Sequence, residues 1–256
     1  MAWIDNPHSE PPPTHFVGLG VIFVQARLTA GAMASVTALY FLGSIWIDQP
    51  FGFWEVWRIP NDVLGGIAGT WYLLVWGLAV TLLFSVIAIV QGIPRLLPPG
   101  TAVGLGLWDS VNAGFFEELR FRWLFLLSAP PGLALLNLIT FGLVEWLYTV
   151  VLVPLADTVT LGILAPQLTG SEWLVGAAIV SVNGGFRASH NDQRGLAGIF
   201  RLVNSWFIGM LLFYLLFNYG LWAAITVHIL YDIVVFTTAA LMSVFRHPLY
   251  GMVGSW

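Results

Sequence analysis

The feature that most constrains this chain is a series of uninterrupted apolar runs. Several are longer than the roughly 18 to 20 residues a helix needs to cross a hydrocarbon core of about 30 Å. Such a core offers no water to backbone N–H and C=O groups, so each run must satisfy them internally, as a helix. Apolar residues fill 58% of the 256 positions and charged residues only 9%, against roughly 25% charged in soluble domains. So few charges cannot cover a water-facing surface. The expectation is an all-α, polytopic transmembrane helix bundle forming one membrane domain.

The same counts exclude several kinds of chemistry. All nine basic residues are arginine and the formal net charge is -4, so no basic patch suggests nucleic acid as a partner. With no cysteine, disulfides, thiolate nucleophiles and Cys-ligated metals are excluded. Histidines and carboxylates must carry any chemistry. The thirteen tryptophans fit aromatic belts at two interfaces, a property common to most membrane proteins.

The first fifteen residues are polar, contain Pro11-Pro12-Pro13 and lack the positive segment that precedes the core of a signal peptide. They read as a retained extramembrane arm. Apolar runs and their punctuation predict about seven spans, near 28–47, 63–91, 103–128, 132–153, 173–190, 196–218 and 220–244, with six or eight as alternatives. Expected breaks lie at Pro94, at Pro98-Pro99-Gly100, at Pro130-Pro131-Gly132 and at Pro154. Residues 1–100 then hold the arm and two spans, 101–245 a helical core, and 246–256 a tail. Gly65 with Gly69, and Gly100 with Gly104, are spaced for close helix packing. Arg58, Arg194, Arg201 and Arg246 fall on one side of this arrangement, which favours a cytoplasmic C-terminus.

Ionisable groups within spans cost at least a few kcal/mol near the bilayer centre, so they face a bundle interior or an aqueous cavity and are functional suspects. Here they cluster. The third span carries Glu117-Glu118-Leu119-Arg120-Phe121-Arg122. Glu118 and Arg122 are four apart, with the acid N-terminal as an intrahelical pair prefers. Glu117 points about 100° away, above the small residues Ala113 and Gly114, where water or substrate would have room. A solvated interfacial turn of charges would look similar.

The fifth span ends in Asn183-Gly184-Gly185-Phe186-Arg187-Ala188-Ser189-His190, with Phe186 and His190 on one face. The seventh holds His228 and Asp232, four apart, in a stretch otherwise free of charge. A carboxylate there would orient the imidazole and leave its other nitrogen for water, metal or substrate. A buried structural pair is the alternative. A carboxylate with two imidazoles suits activation of water for attack on a carbonyl, by general base catalysis or with a metal. Glu145, in the fourth span, is expected to pair with Arg120 or Arg187 or to lie protonated among apolar groups.

These three segments resemble the motifs of the CPBP family of intramembrane proteases, which includes the CAAX prenyl endopeptidases and bacterial Abi-type members. Two glutamates followed after three residues by arginine are matched by Glu117, Glu118 and Arg122. Phe with His four later is matched by Phe186 and His190, and His with Asn or Asp four later by His228 and Asp232. The likeness covers about residues 105–240, including Trp206 to Asp232.

The resemblance implies a peptide-bond hydrolase in a bacterial inner (plasma) membrane, acting on a membrane-proximal polypeptide. Glu117 would activate water, His190 would help hold it, and Glu118 with Arg122 would set local charge. His228 and Asp232 would contact the scissile carbonyl or a metal. Asp232 departs from the favourable asparagine, because an ionised aspartate repels a developing oxyanion. Glu117, His190 and His228 with an open position would suit zinc, and the same residues can operate without metal. Two other classes fit the sequence: a non-catalytic scaffold or accessory subunit that binds partner membrane proteins, and a small transporter with a proton-relay carboxylate.

Overall fold

The structure, a computed structural model, describes residues 31, 34–45, 55–57, 62–90, 99–170, 172–189 and 195–244. The N-terminal arm, the 246–256 tail and His190 lie outside the described residues. Every regular element described is helical, with no strand. In order they are α1 (Ala34–Gly43), a 3-10 turn (Glu55–Trp57), α2 (Val63–Gly69), α3 (Trp71–Val90) and α4 (Pro99–Glu118). A π-helical stretch (Leu119–Phe125) joins α4 to α5 (Leu126–Ile139), and another (Tyr148–Leu152) joins α6 (Leu143–Leu147) to α7 (Val153–Val159). The last four are α8 (Ala165–Leu168), α9 (Trp173–Ser189), α10 (Gly195–Tyr219) and α11 (Leu221–Ser243).

Among the described residues three helices are long and apolar enough to cross a membrane: Gly100–Ile139, Leu202–Tyr219 and Leu221–Ser243. Large apolar side chains also face outward along α3, among them Trp71, Val75, Trp76, Leu83, Val86 and Val90. An exterior of this kind suits hydrocarbon surroundings, since soluble monomers keep exposed apolar patches small.

The first of these helices corrects the expected break at Pro130-Pro131-Gly132. Both prolines sit inside α5, and Gly100–Ile139 is one helix of 40 residues. Each proline removes a single N–H bond, to the carbonyl four residues before. A full break would strand up to four acceptors on one side of it and up to four donors on the other. Continuity is the smaller loss. The turn comes later, where Phe141 (φ 54°) and Gly142 (φ 87°) adopt left-handed conformations and the Gly142 N–H returns to the Asn137 carbonyl at 2.8 Å.

Pro154 likewise does not close a span, because it occupies the first turn of α7. The π stretch before it has already shifted the register, with the Val153 N–H reaching back five residues to Tyr148 O.

Helix α11 packs most extensively on α4, then on α3 and α10. The buried residues of α4 form a stripe at every fourth position: Gly106, Ser110, Gly114 and Glu118. Such i±4 rows are natural helix-packing ridges, and small residues let backbones approach closely. A Cβ added at Gly106 would meet Phe236 Cβ at 2.7 Å, and one at Gly114 would meet Ile229 Cγ1 at 2.5 Å. Of the glycines expected to pack, Gly100 and Gly104 have nothing within 4 Å and Gly65 faces the Asp62 side chain, whereas a Cβ at Gly69 would meet Tyr219 Oη at 3.9 Å.

Beyond Glu118 the chain enters the middle of the bundle. Leu119, Phe121, Arg122, Trp123 and Leu124 are all buried, in a core shared with Ile179 and Phe186 of α9 and Met210 and Phe213 of α10. A second cluster joins Leu73 of α3, Leu212 and Leu215 of α10 and Val227 and Tyr231 of α11.

Candidate functional site

The stripe of small residues on α4 ends in a carboxylate, and that position decides its partners. Glu118 is fully buried. Its Oε1 accepts from Arg122 Nη1 at 3.1 Å and lies 2.8 Å from His228 Nδ1 on α11. The distance is that of a hydrogen bond, which a proton on Nδ1 would donate to this oxygen. The close approach of α4 to α11 at Gly114, four residues earlier, brings the two side chains within reach.

Arg122 is also fully buried. Its Nη2 donates to the Gly209 carbonyl of α10 at 3.1 Å, and its guanidinium lies 4.2 Å over the Phe186 ring and 5.1 Å from that of Phe213. Phe186 stands edge-on to His228 at 6.1 Å. Four helical segments therefore meet at one guanidinium. Arg122 Nε and Glu118 Oε2 are buried with no hydrogen-bond partner among the described residues.

The expected Glu118–Arg122 ion pair is present. The expected orienter of His228 is different. Asp232 Oδ2 stands 3.7 Å from Nε2, beyond a good hydrogen bond, whereas Glu118 holds Nδ1. The imidazole thus lies between two carboxylates, one fully buried and one at 18% exposure. Glu117 is half-buried and close enough to act electrostatically on both Arg122 and His228. The room expected beside Gly114 is occupied by Ile229.

Glu145 pairs with neither Arg120 nor Arg187. Its Oε2 accepts from Asn137 Nδ2 at 3.3 Å, and its backbone N–H donates to Asn137 Oδ1 at 3.0 Å. This reciprocal bond fixes the corner between α5 and α6.

Three contributors were not legible as site residues: the Gly209 carbonyl, the Phe213 ring and Asn183. Asn183 is fully buried and donates from Nδ2 to the Trp206 carbonyl at 3.1 Å, tying α9 to α10 one turn before Phe186. A Cβ at Gly209 would collide with Asn183. The available signal was a glycine inside an apolar helix, which marks a close approach without naming what approaches.

Among the described residues no group of three or more His, Asp or Glu side chains could hold a metal ion. Of the expected zinc set, Glu117 and His228 are described and His190 is not, and one nitrogen of His228 is already taken by Glu118. The described donors therefore do not fit zinc by themselves. Compared with protein-family models, with curated proteins and with solved structures, the chain matches none.

Proposed function

We propose that this chain is a multi-pass integral membrane protein of about seven spans, in a bacterial plasma membrane, and an intramembrane hydrolase of the CPBP, CAAX-protease-like type. One observation supports the reading above all. Residues from all three segments that resemble the family's motifs, Glu118 with Arg122, Phe186, and His228, contact one another although Glu118 and His228 are 110 positions apart.

In this reading Glu117 is the catalytic base. It takes a proton from water as the water oxygen attacks the carbonyl carbon of a membrane-proximal peptide bond, then returns a proton to the leaving amine. Glu118, Arg122 and Phe186 are positioning residues, too deeply buried to touch substrate. They fix His228, whose Nε2 edge, with Asp232, lies toward the less buried side. His190 would share in holding the water.

The test is cleavage of quenched fluorogenic peptides, with and without a prenylated cysteine, by the chain in proteoliposomes. Cleavage that disappears in Glu117→Gln supports the reading. Equal cleavage by the variant removes Glu117 from the mechanism.

One observation favours a second reading, a non-catalytic scaffold that binds partner membrane proteins. Phe186 and Phe213 close over Arg122, and His228 is only 4% exposed, so the centre of the cluster is packed as a core would be. Absence of any cleavage, together with co-purification of a membrane partner, would favour the scaffold.

A further inference from the structure

We infer that the outward face of α4 around Asp109 docks a transmembrane helix of a partner protein that carries an arginine or lysine near its middle. Asp109 is exposed and makes no hydrogen bond, ion pair or electrostatic contact among the described residues. It stands beside Ser110, whose stripe with Gly106 and Gly114 is turned onto α11, and neighbours on a helix point about 100° apart. Leu105, one turn before Asp109, and Trp108 are exposed as well.

The contacts between α4 and α11 set the depth of this carboxylate. A Cβ at Gly106 would meet Phe236 and one at Gly114 would meet Ile229, so Asp109 lies level with a point between those two residues. That point is the middle of the apolar helix Leu221–Ser243. Ionisable side chains at such a depth are costly, and they normally turn to a bundle interior or pair with an opposite charge. Asp109 turns outward, so the charge that pairs it comes from another molecule.

The chemistry of the face says which kind of helix fits. Asn112 lies three positions on from Asp109 and so beside it on the helix surface. Its Nδ2 donates to the Trp108 carbonyl at 2.9 Å, which leaves Oδ1 as an acceptor. A carboxylate and an amide oxygen side by side call for donors and a positive charge together, and a guanidinium or an ammonium supplies both. The exposed Trp108 ring offers the same cation a further contact. Gly104, one turn before Trp108 and with nothing within 4 Å, lets a second backbone come close.

Other occupants fit less well. A second copy of the chain would bring a like carboxylate to the face. A lipid headgroup carries its charge at the bilayer surface, away from the level of Asp109. The inference rests on α11 crossing the membrane and not on hydrolase activity.

The experiment is energy transfer in proteoliposomes, from a donor dye on the full chain to an acceptor dye on synthetic leucine–alanine helices about 20 residues long. The donor is attached at Gly100→Cys, where a side chain meets nothing within 4 Å, in a chain with no other cysteine. A peptide with one central arginine should associate about tenfold more tightly than one with a central leucine, and one with a central glutamate no more tightly than the leucine peptide. Asp109→Leu should bring the ratio to about one. Asn112→Leu, which keeps the charge and removes the second acceptor, should lower it, and Asp109→Arg should transfer the preference to the glutamate peptide. Equal association of the arginine and leucine peptides with the wild type, or a preference that survives Asp109→Leu, would overturn the proposal. So would energy transfer between two copies of the chain that Asp109→Leu abolishes, since the occupant would then be a second copy.

Discussion

Glu118 Oε1 and His228 Nδ1 lie 2.8 Å apart, joining α4 to α11 across 110 positions of sequence, with both side chains withdrawn from solvent. The same oxygen receives Arg122 Nη1. Its removal would leave a guanidinium and an imidazole in the core without the group that connects them.

Stability should therefore depend more on Glu118 than on any exposed charge. Glu118→Ala is expected to cost about 3 to 5 kcal/mol, the usual result of taking one partner from a buried ion pair. Arg122→Ala should cost a similar amount, and the double variant should cost clearly less than the sum because the two share one interaction. Thermal unfolding in detergent, read as a double-mutant cycle, checks this. Additive losses would show that the pair is not coupled.

Glu117 should behave in the opposite way. It is half-buried beside the network, and if it is the base, as proposed, Glu117→Gln should abolish peptide cleavage in proteoliposomes while shifting the unfolding midpoint little. A base contributes to the transition state more than to packing. A large drop in midpoint with cleavage retained would make Glu117 structural.

The α4–α11 contact offers a test through a residue with no polar atoms of its own. Gly114→Val places a branched side chain where Ile229 already lies, forcing the helices apart at a cost of about 1 to 3 kcal/mol. Gly104→Val, where a Cβ meets nothing within 4 Å, should be nearly neutral. Equal effects at the two positions would contradict the packing described.

Tyr148 anchors the π stretch to α8. Its Oη donates to Leu168 O at 2.6 Å, and both residues are buried. Tyr148→Phe should cost about 1 to 3 kcal/mol, because the carbonyl keeps its burial and loses its donor. Gly176→Ala should also be destabilising, because its Cβ would collide with Tyr148 Oη and push the hydroxyl off the Leu168 carbonyl. Unfolding midpoints measure both.

The 40-residue helix is about 60 Å long at 1.5 Å per residue, twice the roughly 30 Å of a hydrocarbon core. Because the chain has no cysteine, single cysteines placed along 100–139 report without background. A protected window of about 20 consecutive positions is expected on maleimide labelling in membranes, with the remainder labelled. Protection of all 40 positions would require a steeply inclined or fully buried helix.

What the sequence determined by itself is what depends on local spacing and on solvent. Long apolar runs with few charges dictate helices, because a backbone away from water has to bond to itself. The Glu118–Arg122 pair was legible because residues four apart meet on any helix, and Phe186 and His228 stood out as part of recurring four-residue patterns.

The tertiary structure decided everything that depends on how one helix is turned against another. That Glu118 rather than Asp232 holds His228 Nδ1, that Arg122 reaches the Gly209 carbonyl, and that Ile229 fills the space beside Gly114 all follow from the closeness and rotation of α4, α10 and α11. No spacing within one helix encodes these. It also decided that the helix runs through Pro130 and Pro131, because a proline removes one bond whereas a break removes several, and only the surrounding chain sets which loss is smaller.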